Sequence, residues 1–298
     1  MIRTDLALEA KERWREKGRQ ETLPPGVTGE TKELSGCTVE TLRVRNREGA
    51  EALGKPEGTY ITLFPEAFLR REEGAFEAAA GLLGQLLRSL LDLKPEASVL
   101  VAGLGNEAIT PDRLGPQTLR HVLATRHLVA SLPETFGAFR RVAVLETGVL
   151  GNTGMESAEL TKAVAEKLRP DAVIAVDALA SRRLGRICRT VQLTDTGIVP
   201  GSGVGNRRSE LSRATLGVPV VGLGVPTVVD AATLAADLTE TAGLGNVRAE
   251  DFGEYGAGMM VTPREIDQQT AMIARLLGYG IDLALHDLSA ADVTALVG

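Results

Sequence analysis

The chain has 298 residues, a formal net charge of −6, 44% hydrophobic residues and only 3% aromatic residues. This composition excludes a disordered chain, which would carry fewer apolar residues and more unbalanced charge. The mild acidity also argues against broad binding to nucleic acid or to anionic membranes, because both select basic surfaces.

The N-terminal residues predict a helix followed by an extended arm. Thr4 precedes a charged helix over residues 5–17, and residues 18–36 are rich in Gly, Pro and Thr, as loops are. No secretory leader and no apolar run of about 20 residues is found, so we expect a cytoplasmic protein. Cys37 and Cys188 are too few for a disulfide framework and predict reduced thiols.

From residue 37 onward, apolar strands alternate with amphipathic helices. The predicted strands span residues 39–45, 60–64, 98–102, 142–145, 172–176, 187–193 and 218–223. The predicted helices span residues 67–93, 114–131, 155–168, 228–241, 263–285 and 290–296. This alternation predicts an α/β fold, with a mostly parallel sheet flanked by helices on both faces. We expect one domain over residues 37–298, preceded by the helix and arm of residues 1–36.

Three loops rich in glycine or small residues follow predicted strands, and in open parallel sheets ligands bind at this edge. Each of the three loops carries an aspartate: Asp112, Asp177 and Asp195. Asp177 directly follows an apolar strand, so desolvation should raise its pKa unless a cation pairs with it.

Two aspartates at one sheet edge can hold a water molecule between them. Their repulsion would split their pKa values, so that one carboxylate activates the water while the other, protonated, donates to the carbonyl oxygen or leaving group. Two structural alternatives stay open at this point. Asp112 could cap a helix, and Asp177 could form an ion pair with Arg182.

Other chemistries have weaker support in the sequence. Gly103 and Gly105 begin a partial dinucleotide-binding pattern, but Pro111 interrupts the helix that should hold the pyrophosphate. His121 and His127 lack the i, i+4 spacing of a helical zinc pair, so we expect no metal site. Glycines at residues 201, 203 and 205 could form an anion nest or a structural turn.

The same loops resemble the germination protease family of spore-forming bacteria, whose members degrade small acid-soluble spore proteins. The matching blocks extend over nearly the whole chain, at residues 3–10, 103–106, 110–116, 125–128, 175–180, 195–206, 224–230 and 260–263. The resemblance implies an atypical aspartic endopeptidase without a cofactor. It also implies a phosphorylase/hydrolase-like fold similar to the hydrogenase maturation proteases.

The resemblance implies that Asp112 and Asp177 are the catalytic aspartates. It places four further residues in supporting loops: Gly103, Gly105, Asn106 and Asp195. It also implies a homotetramer in the spore core that cuts small acid-soluble spore proteins after acidic residues. Such a preference requires cations, and our candidates are Arg182, Arg207 and Arg208.

Family members are made as zymogens with a short propeptide, whereas only Met1 and Ile2 precede the first matching block here. Control by a propeptide is therefore left open. Two alternatives to an endopeptidase also stay open: a non-catalytic binding or regulatory protein that kept the fold, and a nucleotide-binding enzyme that uses residues 103–108.

Overall fold

A mixed sheet organises the structure, a computed structural model that describes residues 4–18, 22–202, 208–244, 247, 251–252 and 258–297. The strands are β1 (Val27–Leu34), β2 (Cys37–Val44), β3 (Gly58–Phe64), β4 (Val99–Leu104), β5 (Val142–Gly148), β6 (Ala172–Ser181), β7 (Val191–Thr194), β8 (Val220–Asp230) and β9 (Met260–Val261). Within the described residues these nine strands form one sheet in the order β1-β2-β3-β7-β8-β6-β4-β5, with β9 paired to β8.

The helices lie between these strands and after them. They are α1 (Ala7–Gly18), α2 (Arg47–Leu53), α3 (Glu66–Leu69), α4 (Ala75–Leu91), α5 (Leu114–Leu119), α6 (Arg126–Ser131), α7 (Pro133–Phe136), α8 (Leu150–Thr153), α9 (Ser157–Leu168), α10 (Arg213–Leu216), α11 (Ala231–Thr241), α12 (Ile266–Leu285) and α13 (Ala290–Val297). Short 3-10 helices cover Thr110–Asp112 and Leu184–Arg186. No helix in the described part of the chain is long and apolar enough to cross a membrane.

Parallel pairing is confined to β5, β4, β6 and β8, and the remaining pairs are antiparallel. The predicted α/β fold with helices on both faces is confirmed, and the expectation of a mostly parallel sheet holds for these four strands. The larger core lies between the sheet and α4, α5 and α12, and a smaller core lies beneath α9 on the opposite face. A third cluster packs α1 against β1, β2 and β3.

Two helices predicted as continuous are each divided in the structure. The one predicted over residues 67–93 becomes α3 and α4, because Arg71 (φ 58°) and Gly74 (φ 70°) adopt left-handed backbone between them. The one predicted over residues 114–131 becomes α5 and α6. Between these, the Leu123 N–H donates to a carboxylate oxygen of Asp282 (3.0 Å) instead of to a helical carbonyl.

Four strands, β1, β6, β7 and β8, also differ from the prediction. Part of the predicted arm is β1, an edge strand with a mostly exposed, polar sequence that gives little apolar signal. The strand predicted from residue 187 begins only at Val191, after a turn in which Cys188 has φ 53°. β6 and β8 run five and seven residues beyond their predicted ends, at 176 and 223. The division after residue 36 stays a prediction, and β1 pairs with β2 across it.

Candidate active site

A cleft of about 310 Å³ opens where β4 ends and β6 and β8 continue past it. Its lining includes both predicted aspartates and one predicted cation: Asp112, Asp177 and Arg208. Asp5, from the segment before α1, lines the same cleft. The expectation that Asp112 and Asp177 share one sheet edge therefore agrees with the geometry.

Close backbone packing places Asp112 at the cleft. A Cβ at Gly105 (φ 111°) would lie 1.9 Å from the Asp112 carbonyl oxygen, and a Cβ at Gly115 would lie 2.2 Å from the carbonyl oxygen of Leu104. Only glycine permits these approaches, which bring the 3-10 helix and α5 against β4. The Asn106 N–H then donates to Asp112 Oδ2 (2.8 Å). Asp112 makes no capping hydrogen bond to α5, so the helix-cap alternative is wrong.

Asp177 lies inside β6, where the sequence had predicted a loop after the strand. The last β6 residue that pairs with β4 is Val176, so Asp177 faces space that β4 no longer fills. Its side chain is buried, and its Oδ1 accepts a hydrogen bond from the Ala178 N–H (2.9 Å). β8 still supports this position, because Asp177 pairs with Gly224.

The two carboxyl groups differ in electrostatic environment. Burial raises the pKa of Asp112, while the Asn106 N–H and the charge of Arg208 oppose the increase. Burial raises the pKa of Asp177 well above its ordinary value, and the negative charges of Asp112 and Asp5 raise it further. Asp177 therefore holds its proton to a higher pH than Asp112 does.

Arg182, predicted to bind substrate, does not line the cleft. Its guanidinium is buried and binds Glu16 (2.6 Å) and Glu240 (3.3 Å). Because these carboxylates already engage both terminal nitrogens, the structure argues against a substrate contact by Arg182 and against its predicted ion pair with Asp177. Arg207 lies outside the described residues, as do Gly203 and Gly205 of the predicted nest.

The supporting-loop residues have separate locations. Asn106 shapes the loop beside Asp112, since its Oδ1 accepts the Ala108 N–H (3.0 Å). Gly103 lies under α5, where a Cβ would come 2.7 Å from the Gly115 backbone. Asp195 is exposed, does not line the cleft and accepts the Thr59 N–H (2.7 Å).

Two cleft residues were missed by the sequence reasoning. Asp5 lies in the matching block at residues 3–10, but only the folded chain places it beside Asp177. Thr227 lies at a β-bulge, since β6 residues Leu179 and Ala180 pair with β8 residues Pro226 and Val228. Its buried hydroxyl has no hydrogen-bond partner among the described residues. A bulge beside an active site commonly re-aims a side chain.

The nucleotide alternative does not fit this geometry. The pattern at residues 103–108 leads into a turn and a 3-10 helix, with no long helix beginning there. The room that Gly105 provides is occupied by the Asp112 carbonyl oxygen. Within the described ranges, no group of three or more His, Cys, Asp or Glu side chains is placed to hold a metal ion.

Comparison with known proteins gives concordant matches. The family model described as "Germination protease" matches residues 4–242. Similar proteins named germination protease include those of Caldanaerobacter subterraneus subsp. tengcongensis (41% identical, covering 96% of this chain and 94% of that protein), Clostridium tetani (40%, 96% and 95%) and Bacillus subtilis (35%, 96% and 94%). Among solved structures, the NiFe hydrogenase maturation protease HycI from Thermococcus kodakarensis KOD1 aligns with a TM-score of 0.37 at 17% identity, covering 66% of this chain and 98% of that one.

Proposed function

Because the chain belongs to the germination protease family and is therefore a peptidase, we propose that it is an aspartic-type endopeptidase that hydrolyses peptide bonds between Asp112 and Asp177. The observation that carries the proposal is the shared cleft, in which two carboxyl groups with raised but unequal proton affinities lie together. We further propose that its substrates are small acid-soluble spore proteins, cut in the spore core by a homotetramer during germination.

The unequal environments support a different role for each carboxyl group. Asp112 is the ionised base, which takes a proton from water as the water oxygen attacks the peptide carbonyl carbon. Asp177 is the acid, which donates its proton to the carbonyl oxygen as the tetrahedral intermediate forms. The intermediate then collapses: Asp177 takes back a hydroxyl proton as the C=O bond re-forms, the C–N bond breaks, and the proton held by Asp112 passes to the leaving nitrogen, so both carboxyl groups return to their starting states. The products are a carboxylic acid and an amine, and no covalent enzyme intermediate forms.

The cleft also supports a preference for acidic residues. Arg208 lines the cleft beside both aspartates and forms no ion pair within the described part of the chain. An arginine in this position can bind the carboxylate of a substrate side chain through a bidentate hydrogen bond. Arg208 is therefore our candidate for this role.

The test replaces each aspartate with its uncharged isostere. We expect Asp112→Asn and Asp177→Asn each to lower kcat for a small acid-soluble spore protein by about 100-fold or more, since general acid–base groups contribute this much. Asp267→Asn, an exposed aspartate on α12 away from the cleft, is the matched control and should cleave normally. N-terminal sequencing of the products reports the residue before each cut. Full activity in either cleft variant would refute the assignment.

A further inference from the structure

Asp5 connects the N-terminal segment to the end of β6. Its backbone N–H donates to the Ala180 carbonyl oxygen (3.0 Å), and its Oδ2 accepts the Ala180 N–H (2.8 Å). The segment before α1 thereby hydrogen-bonds to both the N–H and the carbonyl oxygen of Ala180, a β6 residue beyond the last pair with β4. Asp5 Oδ1 accepts a hydrogen bond from the Ser202 hydroxyl, in the loop after β7.

The surroundings of Asp5 hold it in place. The Lys55 ammonium donates to the Asp5 carbonyl oxygen (2.7 Å). Two residues further along the chain, the Ala7 N–H donates to the side-chain carbonyl oxygen of Gln192 (2.7 Å). Asp5 lines the active-site cleft on one side and a smaller cavity on the other, which Lys55 and Glu210 also line.

Asp5 is also one of three charged groups that act on Asp177. Asp112 comes from the 3-10 helix and Asp5 from the N-terminal segment, and both disfavour ionisation of Asp177. Arg208, which follows the loop after β7, acts in the opposite direction. Hydrogen bonds from Ala180 of β6 and from Ser202 of the loop after β7 fix the Asp5 carboxylate, so its charge is kept at one position relative to Asp177.

We propose that Asp5 is a positioning residue of this active site, which ties β6 to the loop after β7 and sets a fixed negative charge beside Asp177. The inference rests on the proposed function of the Asp112 and Asp177 pair and adds a third carboxylate to it. Asp5 supplies no proton to the substrate. Its charge keeps Asp177 protonated, and so competent as the acid, to a higher pH than the pair alone would allow.

Asp5→Asn separates the charge from the hydrogen bonds. The amide oxygen can still accept the Ala180 N–H, and the amide NH₂ can donate to the Ser202 oxygen, so both contacts survive without the charge. We expect the alkaline limb of the kcat/KM profile to shift to lower pH by roughly half a unit or more. Asp267→Asn, which removes a carboxylate charge away from the cleft, is the matched control and should leave the alkaline limb in place.

A second measurement does not depend on turnover. The side-chain carboxyl resonances of ¹³C-labelled aspartate, with Asp177 assigned by its loss in Asp177→Asn, should show a lower pKa for Asp177 in the Asp5→Asn protein. Identical pH profiles and identical Asp177 titrations in wild type and Asp5→Asn would overturn the inference. If wild type cleaves no substrate, the proposed function fails, and the titration still decides the effect of Asp5 on Asp177.

Discussion

Arg208 is the cation that lines the cleft, and in the proposed function both the chemistry and the substrate preference depend on it. It lowers the proton affinity of Asp112 and of Asp177, opposing the effect of burial. In the proposed function the same guanidinium receives an acidic substrate side chain, so one residue would adjust the ionisation of the pair and select the bond to be cut.

Replacing Arg208 with glutamine should change two measurable properties together. Loss of the charge raises the pKa of both aspartates, so the acid limb of the kcat/KM profile should move to higher pH as the base becomes harder to ionise. Loss of the substrate contact should lower kcat/KM after acidic residues by about tenfold or more. Arg208→Lys keeps the charge and should retain the acid limb. An unchanged cleavage pattern in Arg208→Gln would remove Arg208 from substrate recognition.

Asp112, Asp177 and Arg208, which line one cleft, were named from the sequence, whereas Asp5 was missed. Asp112 lies in the segment after β4, and Asp177 lies in β6 directly after its last pair with β4, so local pattern and the geometry of parallel strands suffice to bring them together. Arg182 was misassigned because its partners, Glu16 and Glu240, are far away in sequence. Asp5 was missed for the same reason, since only the tertiary fold places it beside Ala180.

Helix α1 is held to the sheet by a network of ion pairs at the end of β6. Glu9 is fully buried and accepts hydrogen bonds from the backbone N–H groups of Arg182 (2.6 Å) and Arg183 (2.9 Å). It also binds the Arg186 guanidinium (3.0 Å). The glutamates at positions 9, 12 and 16 recur at helical spacing, and this pattern places the three carboxylates on one face of the helix, where they can bind a common set of cations.

Glu9→Gln should therefore destabilise the docking of α1. The side-chain amide cannot accept all of these donors and leaves Arg186 with only the more exposed Glu12 as counter-charge, which should lower the free energy of unfolding by about 3 kcal/mol. Denaturant unfolding followed by circular dichroism measures this change. Glu12→Gln, at the more exposed end of the same network, should cost about 1 kcal/mol or less. Equal effects of the two substitutions would contradict the special role of Glu9.

The stability of the whole molecule should depend on pH through α12, which packs on the larger core. Burial raises the pKa of Asp282 to about 7 from an ordinary value of 3.8. Burial also lowers the pKa of His286 to about 4 from 6.5. Asp282 ionises at a lower pH in the unfolded chain than in the folded protein, so its contribution to the free energy of unfolding falls as pH rises from about 4 to 7. As pH drops, His286 gains a proton at a higher pH in the unfolded chain than in the folded protein. Its contribution to the free energy of unfolding therefore falls as pH drops from 6.5 to about 4.

Asp282→Asn should separate these opposing effects. The asparagine cannot ionise and can still accept the Leu123 N–H, so the variant should match wild type near pH 4 and exceed its stability at pH 8 by about 4 kcal/mol. Unfolding free energies measured from pH 4 to 8 give the comparison. Parallel curves for the two proteins would show that Asp282 carries no such penalty.

At the scale of the whole molecule, composition and periodicity predicted the α/β class and the central strands. They did not predict the order of strands, because strand pairing is set by contacts between distant segments and not by local propensity. The antiparallel half of the sheet illustrates this limit. β3 pairs with β7 at sequence separations of 128 to 134 residues, and the polar edge strand β1 carries too few apolar side chains to be recognised alone.

Trp14 is the only tryptophan of the chain, and it lies on α1, packed against the cluster that includes Ala7 and Tyr60. Tryptophan emission from the intact protein therefore arises from a single site, on the helix that directly follows Asp5. The ring-poor composition thus gives the enzyme an intrinsic fluorophore that needs no labelling. Changes in its emission or quenching will follow the attachment of the N-terminal segment in real time, independently of any substrate.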